Sequence, residues 1–176
     1  AEIGSATDSI ISFDESTKAV AGTLVQPKVA ARTTGLEVDE NENALYINYS
    51  SHRDVEREIP FGIQRVDLSE FSKDATSFIE APVHAFDLDP SGGRLIGIGE
   101  PLSGGETFEI VTVGLDSSNS VARLPSDVSA DAYIPRDVVY DATGGRLLVA
   151  MQRAREGQPN FIEFDGLVIG FDVDTG

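Results

Sequence analysis

Ala85-Phe86-Asp87-Leu88-Asp89-Pro90-Ser91-Gly92-Gly93-Arg94-Leu95-Ile96-Gly97-Ile98 reads as two strands joined by a tight turn. Asp89 closes the first run and Gly93, four positions on, leads into the second. An Asp carboxylate can accept the amide hydrogens of such a turn, and glycine takes up a left-handed backbone without steric cost. Leu95 to Ile98 is close to continuously apolar, the pattern of a strand covered on both faces of its sheet.

The same hairpin occurs on either side of this stretch. Upstream, Gly35-Leu36-Glu37-Val38-Asp39 is followed by Asn43-Ala44-Leu45-Tyr46-Ile47; downstream, Asp137-Val138-Val139-Tyr140-Asp141 is followed by Gly145-Arg146-Leu147-Leu148-Val149. The closing aspartates, Asp39, Asp89 and Asp141, are 50 and 52 positions apart. Where the turn residue is not Gly it is Asn43, the commonest other tolerance of positive φ. A second motif interleaves with the first: Ile10-Ile11-Ser12-Phe13-Asp14, Ile63-Gln64-Arg65-Val66-Asp67, Val111-Thr112-Val113-Gly114-Leu115-Asp116 and Val168-Ile169-Gly170-Phe171-Asp172. Three of these are followed by another strand-like run. The repeating unit is thus four strands, a to d, in about 50 residues.

A small sheet buried on both faces must lie between two others, and radial stacking of such sheets is the β-propeller. The expectation is an all-β chain, a β-propeller with four-stranded antiparallel blades: a partial blade at 9–25, blades at 34–80 and 84–125, and a partial blade at 136–174. That makes about three blades, an incomplete ring, so remaining blades or another chain are needed to close it. The Asp-x-x-Gly-Gly-Arg-Leu turns at Asp89–Leu95 and Asp141–Leu147, with Val168-Ile169-Gly170-Phe171-Asp172-Val173-Asp174-Thr175-Gly176, resemble the YVTN, TolB-like and lactonase-like propeller group. The resemblance is at the level of blade-building motifs and implies a fold; it carries no catalytic signature.

Composition narrows the partners. Thirty acidic residues against 13 basic ones give a formal net charge of −17, which repels phosphate backbones and anionic lipid and argues against nucleic acid as a partner. No run approaches the ~20 apolar residues of a membrane-spanning helix. The absence of Cys removes disulfides, thiolate metal sites and Cys nucleophiles. An acidic, Lys-poor balance fits a periplasmic, secreted or cell-surface setting.

Candidate site residues lie where the b–c and d–a connections emerge. The b–c connections, about 50–61, 99–108 and 152–166, are long and differ from blade to blade, and variable loops on a rigid scaffold are where binding specificity resides. His52 falls in the first of them and His84 at the start of a strand a; imidazoles so placed can ligate a metal or exchange protons. Thr34, His84 and Arg136 align across the three strands a, and Arg136 offers a fork to carboxylate or phosphate, or a salt bridge to Asp131 or Asp137. Arg153 and Arg155 form a basic spot in the last b–c loop. Asp87-Leu88-Asp89 and Asp172-Val173-Asp174 have the alternating carboxylates of a calcium loop, but the Glu required at its twelfth position is replaced by Ile98. Calcium is therefore possible, while no cofactor is predicted and hairpin capping is the plainer role for these aspartates.

These features favour a non-catalytic propeller module that binds a protein, peptide or glycan through its long loops. Two alternatives stay open: a segment of a metal-dependent, lactonase-like propeller hydrolase with its site at the channel mouth, and a structural or surface-layer assembly repeat.

Overall fold

The computed structural model describes residues 9–13, 15–25, 31–51, 62–71, 76–81, 83–99, 106–116, 118–130, 132–153 and 166–176. It divides into two compact units, Ala1–Glu80 and Ala81–Gly176. Among the described residues all regular structure is β, and no helix is long and apolar enough to cross a membrane.

The first unit holds two antiparallel sheets. One pairs β1 (Ser9–Phe13) with β2 (Val20–Val25). The other runs in chain order through β3 (Ala31–Asp39), β4 (Ala44–Ser51), β5 (Gly62–Asp67) and β6 (Thr76–Ile79). Leu45, Ile47 and Val66 form a small core against which Leu68 and Phe71 pack. Phe71 sits at φ 42°, a backbone state that a bulky residue rarely adopts, and burial of its ring against that core offsets the strain.

The second unit is built from a four-stranded and a three-stranded antiparallel sheet. β7 (Ala85–Asp89), β8 (Arg94–Gly99), β9 (Thr107–Gly114) and β10 (Val121–Ser129) lie side by side in chain order, as do β11 (Tyr133–Asp141), β12 (Arg146–Arg153) and β13 (Gly166–Asp172). Four-stranded antiparallel sheets repeated along an all-β chain are propeller blades, as the periodicity implies. The two sheets share one core: Ala85, Ile96, Ile98, Phe108 and Ile110 from the first meet Val138, Leu147, Val149, Met151 and Phe171 from the second. β10 extends four residues past the expected blade limit of 125. Pro125 supplies no ladder N–H, the register shifts there, and the buried Ser126 hydroxyl donates to the Phe108 carbonyl at 2.8 Å.

The hairpin turns behave as their residues dictate. Asp39 accepts the N–H groups of Asn41 and Glu42, Asp141 those of Thr143 and Gly144, and Asp89 that of Gly92 with the Ser91 hydroxyl. Asn43, Gly93 and Gly145 follow at φ 48°, 58° and 64°. The c–d ends use a second set of aspartates. Asp67 and Asp116 each accept both the N–H and the hydroxyl of a Ser two residues on, and Asp172 accepts the N–H groups of Asp174 and Thr175.

Asp89 also holds Arg94, whose Nε donates to it at 3.0 Å. Arg94 Nη2 reaches the Tyr140 hydroxyl at 3.1 Å, with its guanidinium 5.7 Å from the centre of that ring. Two residues before Asp89, Asp87 Oδ2 accepts the backbone N–H of Tyr140 at 2.6 Å. A turn aspartate, a turn arginine and a strand aspartate of one sheet thus fasten strand β11 of the next.

Candidate functional site

Three positions aligned by the sequence repeat share a backbone irregularity. Thr34 is the extra residue where the β3–β4 register shifts between Thr33 and Gly35, and Arg136 is its counterpart between Pro135 and Asp137 in β11. His84 precedes β7 and donates its N–H to Ile98 O at 2.7 Å, while Ala85 is itself the residue paired with Ile98. Two successive residues facing one partner define a β-bulge, a device that re-aims side chains at the rim of a sheet.

The bulged residues differ in what they can do. The half-buried His84 ring meets Phe108 edge-on, with centroids 6.0 Å apart and planes at 84°, so it is packed against an aromatic floor. Arg136 is exposed, and its Nε donates to Gln152 Oε1 at 2.8 Å, with Nη2 donating to the same oxygen. It does not bridge to Asp137, whose carboxylate accepts the N–H of Val138; Asp131 lies outside the described residues. Arg153 ends β12 and is exposed. His52 and Arg155 lie outside the described residues, as do most of the three long b–c connections.

Arg136 and Gln152 stand at the edge of a shallow groove of about 490 Å³ on the last sheet, whose floor includes Ala150, Met151, Leu167 and Val168. The groove is open beside β13 because two glycines flank Val168 on its surface: a Cβ at Gly166 would meet nothing within 4 Å, and one at Gly170 only the tip of Leu148 at 3.4 Å. Chemically this is an apolar trough with one guanidinium at its lip. Sequence reading singles out Arg136 but not the groove, because a trough made by two glycines and a buried Met leaves no motif.

The acidic turns have their carboxylates occupied. Asp87 accepts from Leu88 as well as Tyr140, and Asp89 from Ser91, Gly92 and Arg94. Burial pushes the Asp89 carboxyl up, but those three donors more than offset it and leave it below the ordinary carboxylate range. Asp67 and Asp116 are held low by the hydroxyl and N–H of Ser69 and Ser118, and Asp172 chiefly by the N–H of Asp174. Among the described residues no group of three His, Asp or Glu side chains is placed to hold a metal ion.

No family model and no curated protein matches the sequence. Among solved structures the chain is similar to the hydrazine synthase of Kuenenia stuttgartiensis, with a TM-score of 0.64 and 17% identity over 94% of this chain. The match covers 45% of that protein's chain, so the present chain spans a little under half its length. At this identity the likeness concerns the fold.

Proposed function

We propose that this chain is a non-catalytic propeller module, of the kind seen in the YVTN, TolB-like and lactonase-like group, that binds a protein, peptide or glycan at the b–c rim of its blades. The observation that carries the reading is the groove with Arg136 at its lip. A guanidinium already oriented by Gln152 loses little freedom on binding, and Nη1 has no partner among the described residues. An apolar floor with one convergent cation suits a ligand that pairs a carboxylate with an apolar body, such as an acidic glycan or a peptide carrying Asp, Glu or a free C-terminus. The chain's net charge of −17 selects against highly charged polyanions, and the acidic, Lys-poor composition supports an extracytoplasmic setting.

Calcium is not required by this reading, and EDTA is expected to leave binding unchanged. The hydrolase alternative needs carboxylates, amides or His residues converging at the channel mouth, where the His84 ring packs edge-on against Phe108. The test is a glycan and peptide array probed with the full chain and two charge-reversed variants, Arg136→Glu and Arg146→Glu. Binding of carboxylate-bearing ligands should fall at least about tenfold in the first and persist in the second, whose side chain lies at the opposite end of β12. Equal binding by wild type and Arg136→Glu would refute the rim site.

A further inference from the structure

Asp87 divides its two carboxylate oxygens between two strands. Oδ1 accepts the N–H of Leu88 in its own strand at 2.7 Å, and Oδ2 accepts the N–H of Tyr140 in β11 at 2.6 Å. Successive amides of an antiparallel strand face opposite edges, so these two point away from the ladders that pair β7 with β8 and β11 with β12. One carboxylate thus caps the outward amides of two neighbouring first strands and fixes their spacing. In β11 the position matching Asp87 is Val139, and Asp137 caps Val138 N–H within its own strand at 3.0 Å.

The polar ties between the β7–β10 and β11–β13 sheets gather at this turn end. Beside the Asp87 bridge, Asp89 holds Arg94, and Arg94 holds the Tyr140 hydroxyl. The remaining shared surface, from Ala85, Ile96, Ile98, Phe108 and Ile110 to Val138, Leu147, Val149, Met151 and Phe171, is apolar and takes up no protons. The other charged or titratable groups on these strands are engaged elsewhere. Asp141 caps its own turn, Arg136 donates to Gln152, Arg146 stands opposite Asp172 in the β12–β13 ladder, and Glu109 pairs with Arg123. His84 lies against Phe108 at the far end of β7, and Arg153 ends β12 on that same side.

We propose that this joint is a proton-sensitive lock: protonation of Asp87 and Asp89 frees the turn end of β11 while the apolar core keeps the two sheets together. A carboxylate can accept on both oxygens, whereas a carboxylic acid turns one of them into an O–H donor facing an N–H. Protonated Asp87 therefore cannot serve both amides. The Leu88 bond joins adjacent residues and survives, so the long-range bond to Tyr140 is the one released. Asp89 acts in the same direction. Burial raises its carboxyl, but the Ser91, Gly92 and Arg94 donors more than offset this and hold it below the ordinary range, so its grip on Arg94 is complete above about pH 4 and is lost as the pH falls through the folded value. The lock uses neither Arg136 nor the groove, and it stands or falls apart from the rim reading.

The test follows amide exchange, corrected for the intrinsic effect of pH, on the isotope-labelled full chain at about pH 6 and about pH 3.5. Protection at Tyr140 should fall at least about tenfold in acid, while Val139, whose N–H faces β12, and Ile110 in the core keep theirs. Asp87→Asn offers one acceptor and sets an NH2 against the other N–H. It should show low Tyr140 protection at both pH values, whereas Asp137→Asn, which alters only a local cap, should leave Tyr140 as in wild type. If Asp87→Asn does not fold, the wild-type comparison decides alone. Equal loss at Tyr140, Val139 and Ile110 would mean that the sheets unfold as one unit and would overturn the proposal. So would Tyr140 protection that is indifferent to pH, or a folded Asp87→Asn chain that keeps wild-type protection there.

Discussion

The β7–β10 sheet and the β11–β13 sheet are built on one template and differ in what covers them. At matching positions Ile96, Ile98 and Ile110 are at most 1% exposed, whereas Leu148 is 37% and Val168 68% exposed, with Ala150 between. In the first sheet these side chains are the surface that buries the second. In the second they face outward, with Val139, 56% exposed, standing where Asp87 fastens the next strand. The same hairpin chemistry therefore makes a core in one place and an open apolar face in the other. Position in the stack, not side-chain identity, decides a residue's energetic weight.

The largest expected difference is in truncation. Ile96→Ala should destabilise the chain by about 3 kcal/mol, because it empties a closed core, while Leu148→Ala at the matching position should cost about 0.5 kcal/mol or less. Chemical denaturation of the two variants measures this directly, and equal losses would mean that the outer face is covered in solution.

A smaller difference is expected at the turns. Asp89 is 3% exposed and holds two turn donors and Arg94, whereas among the described residues Asp141 holds only the N–H groups of Thr143 and Gly144. Asp89→Ala should cost about 2 kcal/mol and Asp141→Ala about 1 kcal/mol. Because the folded-state carboxyl of Asp89 lies below its unfolded value, the stability it contributes is fully present above about pH 4 and is lost as the pH falls through the lower, folded value. Asp67, Asp116 and Asp172 act with the same sign. Asp89→Asn should therefore flatten the acid limb of the stability profile and leave its neutral region parallel to wild type.

These contrasts also explain what could be read without coordinates. The Asp-to-Gly turns, the antiparallel four-stranded sheets and the all-β character follow from local chemistry repeated every 50 residues or so, and they are legible in three copies of one hairpin. Phe71 at positive φ was not legible, since propensity alone excludes it and only packing against Leu45, Ile47 and Val66 allows it. The bulges at Thr34, His84 and Arg136 leave their mark as an alignment of unlike residues, which marks the positions without revealing the backbone cause. Nor does the periodicity distinguish Leu148 from Ile96, because burial there depends on a neighbour that the local pattern does not encode.

The most direct test of the open-sheet account is residue-resolved amide exchange on the chain by itself at low concentration. Ile110 and Thr112, whose N–H groups point toward β10, should exchange slowly. In β13 protection should alternate, with Ile169 and Phe171 slow and Val168 and Gly170 fast by at least about a hundredfold. Uniform protection along β13, or alternation in the opposite phase, would contradict the account.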